Sequence, residues 1–384
     1  MKDKTKIYYW CPFINKVATV KAVYNSVIST NVFSNKKYES LIIDTFGEWK
    51  ENNYFKIDKR LFIQLNSSKI LHKIPSLGFF FSRIKYILIF LLSYFPLKNF
   101  LKEVKPKFLI IHLMTSLPLF LNLTNNFNTK IILRISGKPK LNFLRYFFWK
   151  IALKKVFKIT FPTKETLEYF KSINLVNSDK LELLYDPILS LKDIDYKKKN
   201  EKIDDIDFSK KEYYLSIGRL TKQKNYLFLI ECFNELIKKN DKIKLIIIGE
   251  GEDFSLLRKK IEDYKIQKNV MLLGYKKNVF KYLKGCKAFI LSSLWEDPGF
   301  VLIESMFCNT LVLSSDCPSG PKEILDVNRG ILFNSNSKED FIKKFQLLNN
   351  LKEKEKFQIL CNAKKFTKKF SLFHHYKTLD KILI

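Results

Sequence analysis

The stretch Ser292–Met306, SSLWEDPGFVLIESM, joins an acidic, Trp-bearing segment to an apolar run across a Pro-Gly pair. The residues that lead into it, AFILSS from Ala288 to Ser293, read as a short buried strand. The residues after Pro298 read as a helix that starts near Gly299 or Phe300. A strand, a reversing loop and a helix are the parts of a crossover in a parallel sheet. A solvent turn has no need of Trp295 and Phe300, and a core element has no need of Glu296 and Asp297. Gly299 permits close backbone approach, and a helix N-terminus directs free N–H groups beyond the strand end. Glu296 precedes the helix and Glu304 falls about one turn inside it, an E-x7-E spacing.

Working outward, the same pattern repeats. YYLSIG (Tyr213–Gly218), KLIIIG (Lys244–Gly249), VMLLGY (Val270–Tyr275), TLVLSS (Thr310–Ser315) and GILF (Gly330–Phe333) read as strands. Between the first two, Tyr226, Leu229, Ile230, Phe233, Leu236 and Ile237 recur at helical spacing. Eight of the eleven glycines lie from Gly218 onward, mostly just after strands. Ligands of open α/β sheets bind beyond the carboxyl ends of the strands, which places the chemistry in this half and in a crevice toward the first. The N-terminal half carries KIYYWCP, SLIIDTF, KFLIIHLM, KIILRIS and KITFPT as further strands. The fold class is therefore α/β with two Rossmann-like domains. The first covers 1–190, with a C-terminal helix from about 370 to 384 returning to it. A charged linker covers 191–211, and a second domain covers 212–369.

A chain of 384 residues with 46% apolar residues is globular and long enough for two cores. Its formal charge of +31 predicts attraction to phosphates or to an anionic membrane surface. Basic residues are spread through both halves without a nucleic-acid module, so no specific nucleic-acid partner is expected. The six cysteines lack metal-ligand spacing and suit reduced thiols in a cytoplasmic setting. No zinc pattern surrounds the four histidines, and no metal cofactor is expected. The Asp-Ile-Asp triplets lie in the charged linker rather than after a strand. The most apolar window, YILIFLLSYFPL, spans a dozen residues and reads as too short to cross a bilayer. Flanked by Arg83, Lys85, Lys98 and Lys102, it suits either a core helix or a face that dips into a membrane interface.

Four more segments complete the candidate site. In SIGRLTKQKN, Arg219 and Lys224 sit between a strand end and a helix start, where two cations suit a diphosphate. In IGEGED, Glu252 and Asp253 read as caps of the helix that follows. In LLGY, backbone groups at Gly274 and Tyr275 suit the edge of a base. SSDCPSGPKEIL reads as a Pro- and Gly-bearing loop with Glu323 at a helix start.

Taken in order, GRLTKQKN, GEGED, LLGY, WEDPGFVLIE and DCPSGPKEIL resemble the family 4 retaining glycosyltransferases of GT-B fold, of the kind that builds polysaccharides and lipopolysaccharides. The resemblance runs from about Tyr213 to Phe333. It implies two facing Rossmann-like domains and a nucleotide-sugar donor, UDP-linked, bound mostly by the second. It implies Arg219 and Lys224 on the diphosphate, Glu304 on the ribose, Glu296 on sugar hydroxyls, and the backbone of Gly299, Phe300, Val301 and Leu302 against the donor. The implied acceptor is a glycan, lipid-linked, at the cytoplasmic face of a membrane to which the protein attaches peripherally. The first half departs from the pattern. CPFINKVATV lacks the glycine pair of many relatives, RISGKPK stands where a histidine is expected, and His112 is a strand-end candidate. Two other classes share these features: a nucleotide-sugar epimerase on the same fold, and a non-catalytic binder of polyanions or membranes.

Overall fold

The computed structural model describes residues 4–14, 18–49, 58–66, 79–139, 141–190, 194, 213–326 and 328–384. It divides into two units, Met1–Ile188 with Leu372–Ile384, and Leu189–Ser371. The charged stretch at 191–211, with its Asp-Ile-Asp triplets, lies outside the described residues except for Ile194.

The N-terminal unit runs β1 (Thr5–Trp10), α1 (Ala18–Phe33), β2 (Tyr38–Asp44), β3 (Phe62–Gln64), α2 (Phe79–Val104), β4 (Phe108–Ile111), α3 (Ser116–Thr124), β5 (Lys130–Arg134), α4 (Phe143–Ala152), β6 (Lys158–Phe161), α5 (Lys164–Ser172) and β7 (Leu181–Leu183). These strands form a seven-stranded sheet in the order β3-β2-β1-β4-β5-β6-β7, with parallel pairing throughout. The two edge strands, β3 and β7, are additions to the sequence reading. Three residues each, Phe-Ile-Gln and Leu-Glu-Leu, are too few to establish an alternation.

Alternate residues of β1 sort the two faces. Ile7 and Tyr9 pack with Val20, Val23 and Val27 of α1. Tyr8 and Trp10 pack with Leu97 and Leu101 of α2, Leu117 and Leu121 of α3, and Ala152 of α4. Helices α2, α3 and α4 thus cover one face of the sheet together. The α2 helix corrects one expectation. Its apolar window is the middle of a 26-residue helix, because residues on both sides continue the turn and Pro96 does not end it. Its Arg83–Val104 segment, 22 residues, is long and apolar enough to cross a membrane by length and composition, with 33% of its window buried.

The last helix, α13 (Leu372–Ile382), packs Leu379 and Ile382 onto the α1 face of this sheet. Its His375 is 3% exposed. One ring nitrogen, Nδ1, lies 2.8 Å from the Tyr185 carbonyl, and Nε2 lies 2.7 Å from Ser26 Oγ on α1. Nδ1–H donates to the carbonyl and Nε2 accepts from the hydroxyl, so both ring nitrogens are satisfied in the neutral form.

The C-terminal unit runs β8 (Tyr213–Ile217), α6 (Tyr226–Lys239), β9 (Lys244–Ile248), α7 (Phe254–Asp263), β10 (Val270–Leu272), α8 (Phe280–Gly285), β11 (Ala288–Leu291), α9 (Phe300–Phe307), β12 (Leu311–Ser315), α10 (Pro321–Leu325), β13 (Ile331–Phe333), α11 (Lys338–Asn349) and α12 (Glu353–Thr367). Its six-stranded parallel sheet has the order β10-β9-β8-β11-β12-β13. The apolar stripe of α6 is buried as its spacing predicts. All six cysteines are free thiols, and five are buried.

Burial lowers the His375 imidazole to about 4, against an ordinary value near 6.5. The unfolded chain therefore binds a proton there before the folded chain does. Stability contributed above about pH 6.5 is lost as pH falls toward 4, by about 3 kcal/mol in total. His375→Asn is expected to flatten that part of the stability–pH curve. Denaturant titrations at a series of pH values measure it, and an unchanged slope removes His375 as the cause.

Candidate active site

In the C-terminal sheet β8 lies between β9 and β11, so the winding direction reverses between β8 and β11. Loops that leave two strands on either side of a reversal diverge, and the crevice between them is where such sheets bind ligands. The two loops here are GRLTKQKN, after β8, and SSLWEDPG, after β11.

Side chains and backbone staple these loops together. Leu294 N donates to Gln223 O at 2.8 Å. The Gln223 amide Nε2 donates to Trp295 O at 2.9 Å, and Ser292 Oγ donates to Lys224 O at 2.8 Å. At the centre, Lys224 Nζ lies 2.5 Å from Glu296 Oε1, with side chains 13% and 6% exposed. Ser293 Oγ donates to the same carboxylate oxygen at 2.5 Å. Removal of one partner from a buried pair leaves an uncompensated charge, at a cost of about 3–5 kcal/mol. Arg219 is exposed, and its guanidinium reaches Gln223 Oε1 at 3.4 Å, on the loop that carries Lys224.

Two glycines let neighbouring loops close on this centre. At Gly249 an added Cβ would fall 1.8 Å from the Gly218 carbonyl oxygen. At Gly320, with φ +140°, it would fall 2.0 Å from the Pro298 carbonyl oxygen. Any side chain at either position forces the backbones apart. The CPSG loop is also tied by Glu296 N, which donates to Pro318 O at 3.1 Å. Burial raises the Cys317 thiol of that loop to about 12, so it is a neutral thiol beside Glu296 and Lys224 and not a nucleophile.

The structure thus brings Lys224 and Glu296 into direct contact and puts Arg219 on the same stapled loop. Gly299, in a left-handed conformation, precedes α9, and Leu302 N donates to its carbonyl at 3.0 Å. Phe300 and Val301 are half-buried on the first turn, and Leu302 is buried. Glu304 is buried on the next turn, 8% exposed. Gly274 follows β10, and its carbonyl accepts from Gly249 N at 2.9 Å; the Tyr275 side chain beside it is exposed. One expectation fails. Asp253 precedes α7 but makes no side-chain cap. Its backbone N donates instead to Leu220 O at 3.0 Å, so main chain, not a carboxylate, sets the GEGED turn. Ser293 and Gln223 are the residues that sequence reading missed. Their only signal is a polar side chain at or just past a strand end. Among the described residues no three His, Cys, Asp or Glu side chains gather to hold a metal ion.

The N-terminal unit has its own reversal, between β1 and β4. His112 follows β4 there, and its backbone N donates to Trp10 O at 2.9 Å. Its Nδ1 is buried without a hydrogen-bond partner. Burial first, then the charge of Arg134, keeps the ring neutral. Arg134, in the segment where a histidine was expected, is committed elsewhere. Its Nε donates to Asp186 Oδ1 at 2.9 Å in a buried, bidentate ion pair. After β2, Asp44 and Glu48 share a turn that sequence reading passed over. Gly47 N and Trp49 N donate to Asp44 Oδ1, while Thr45 N and Phe46 N donate to the Glu48 carboxyl. Burial and the nearby Asp44 charge push Glu48 up, which favours its protonated form.

The match to known proteins follows this geometry. Residues 198–365 match the family model described as glycosyl transferases group 1. An uncharacterized glycosyltransferase of Methanocaldococcus jannaschii is 32% identical over 318 residues, covering 76% of this chain and 72% of the relative. The Campylobacter jejuni N-acetylgalactosamine-N,N'-diacetylbacillosaminyl-diphospho-undecaprenol 4-alpha-N-acetylgalactosaminyltransferase is 30% identical, covering 62% of this chain and 67% of the relative. The solved structure of the pneumococcal O-GlcNAc transferase GtfA in complex with UDP and GlcNAc superposes with a TM-score of 0.71 at 12% identity, covering 99% of this chain and 98% of that one. With two parallel sheets of this order and a relative matched over most of both lengths, the chain belongs to the group 1 glycosyl transferases and is a family 4-type glycosyltransferase of GT-B fold.

Proposed function

We propose that the protein transfers a sugar from a UDP-linked donor to a growing, lipid-linked glycan with retention of anomeric configuration. The observation that carries this reading is the buried Lys224–Glu296 pair at the β8–β11 reversal. A departing nucleoside diphosphate concentrates negative charge, and a preorganised cation opposes it without reorganisation at the moment of reaction. Arg219 and Lys224 take that role. The bond between the anomeric carbon and the diphosphate oxygen breaks, and its electron pair leaves with the diphosphate. The acceptor hydroxyl attacks on the same face and passes its proton to the departing phosphate oxygen. Two side-chain cations and the N-terminus of α9 supply the positive charge, so this route requires no divalent ion. Both bonds to Glu296 fall on Oε1, and Oε2 accepts from a hydroxyl of the donor sugar. Glu304 accepts from the ribose, main chain at Gly299, Phe300, Val301 and Leu302 meets the donor, and Gly274 and Tyr275 meet the base.

The names of two similar proteins support the donor and acceptor classes. One structure holds UDP and GlcNAc, and one relative is named for a diphospho-undecaprenol acceptor. Reduced thiols agree with a reaction at the cytoplasmic face of a membrane. The reading is tested by screening nucleotide-sugars for sugar-dependent release of nucleoside diphosphate. An epimeric nucleotide-sugar formed without acceptor would replace it with an isomerase.

Arg219→Ala is expected to lower turnover by about 10²–10³ with the fold intact, the scale of removing one charge-stabilising group. Steady-state kinetics measure this, and unchanged turnover takes Arg219 out of the mechanism. Glu304→Ala is expected to weaken binding of the free nucleotide by about 1.5–3 kcal/mol. Calorimetry reads it directly, and equal affinity counts against the ribose contact.

A further inference from the structure

The N-terminal unit carries apolar surface that its own core does not use. On α2 the inner stripe Ile89, Ser93, Leu97 and Leu101 is buried, at a spacing of four. Ile87, Leu91 and Phe95 follow the same spacing two residues out of phase, which at about 100° per residue puts them on the opposite side. They are 59%, 61% and 67% exposed. A helix apolar on both sides has a partner on both sides.

The neighbouring helices extend this surface. Phe120 of α3 stacks near Phe90 and Tyr94 of α2, with ring centroids 6.1 and 6.3 Å away. On α4 the inner residues Phe148, Trp149 and Ala152 face the core. Phe143, Leu144 and Phe147 turn outward, 83%, 77% and 58% exposed. All three helices cover the same side of one sheet, so the two outward sets belong to one face.

Charge identifies the occupant. From Phe79 to Lys155 the chain has fourteen Lys and Arg and a single acid, Glu103. The exposed ones include Arg83 and Lys102 of α2, Arg145 and Lys150 of α4, and Lys154 just after it. Apolar side chains ringed by cations, with almost no carboxylates, match the interface of an anionic bilayer, where tails take the former and headgroups the latter. A second protein would have to be both apolar and acidic over the same area. We propose that the α2–α3–α4 face docks on an anionic lipid bilayer and lies in its interface. The α2 helix does not span, because its inner stripe is built into the sheet's core. The proposal rests on no step of sugar transfer, and it places any lipid-linked acceptor on the membrane side of this unit.

The test uses the full chain and sedimentation with vesicles, either phosphatidylcholine alone or phosphatidylcholine with one part in three phosphatidylglycerol. Binding to the anionic vesicles only is expected, weakened but not abolished by high salt. The doubly substituted variants L144S with F147S, and L91S with F95S, alter exposed side chains. Each is expected to lower partitioning by about tenfold or more, with calorimetric affinity for nucleotide unchanged. Absence of binding to anionic vesicles, or equal binding by both variants, overturns the proposal. So does a wild-type dimer that the same substitutions convert to monomer, since a second copy would then cover the face.

Discussion

A buried ammonium–carboxylate contact, Lys224 to Glu296 at 2.5 Å, is the constraint on which the C-terminal unit turns. Neither charge is tolerable alone at that depth, so the two loops that bear them must come together. Everything adjacent serves that closure. Gln223 and Ser292 bond across the loops, Ser293 adds a second donor to the carboxylate, and two glycines let main chain approach main chain. The result is a polar centre with its cation beside the carboxylate.

The N-terminal unit repeats the architecture with different chemistry. Its reversal carries a neutral His112 with an orphaned Nδ1, and a nearby turn binds two carboxyls, Asp44 and Glu48. The strong positive charge of the chain is also unevenly arranged. Where the apolar helices lie, acids all but vanish, and this gives an otherwise bland excess of lysine a direction.

The alternation of apolar runs with helical stretches made both parallel sheets legible: the nine strands longer than three residues stood out, as did β10 and β13, which have Gly274 and Gly330 near their ends. The edge strands β3 and β7 did not, because three residues hold less than two periods of alternation and no glycine marks their ends. The dozen-residue apolar window gave no sign of a 26-residue helix, since basic residues flank it at both ends and interrupt the apolar run. The candidate site residues were legible as types and spacings around strand ends. Their contacts were not. Asp253 looked like a cap and is not one, while Ser293 looked like filler and bonds Glu296.

From sequence alone came the period of the hydrophobic pattern, the glycines after strands, the two glutamates eight apart and the scarcity of acids between Phe79 and Lys155. These are local or compositional facts, and one chain of letters contains them. Tertiary structure alone decided that Lys224 meets Glu296 across seventy-two positions, that Arg134 is bound to Asp186, and that α2 and α4 share a face. Strand order sets those meetings, and strand order depends on which crossovers fill the sheet, a long-range packing outcome that no window of sequence encodes.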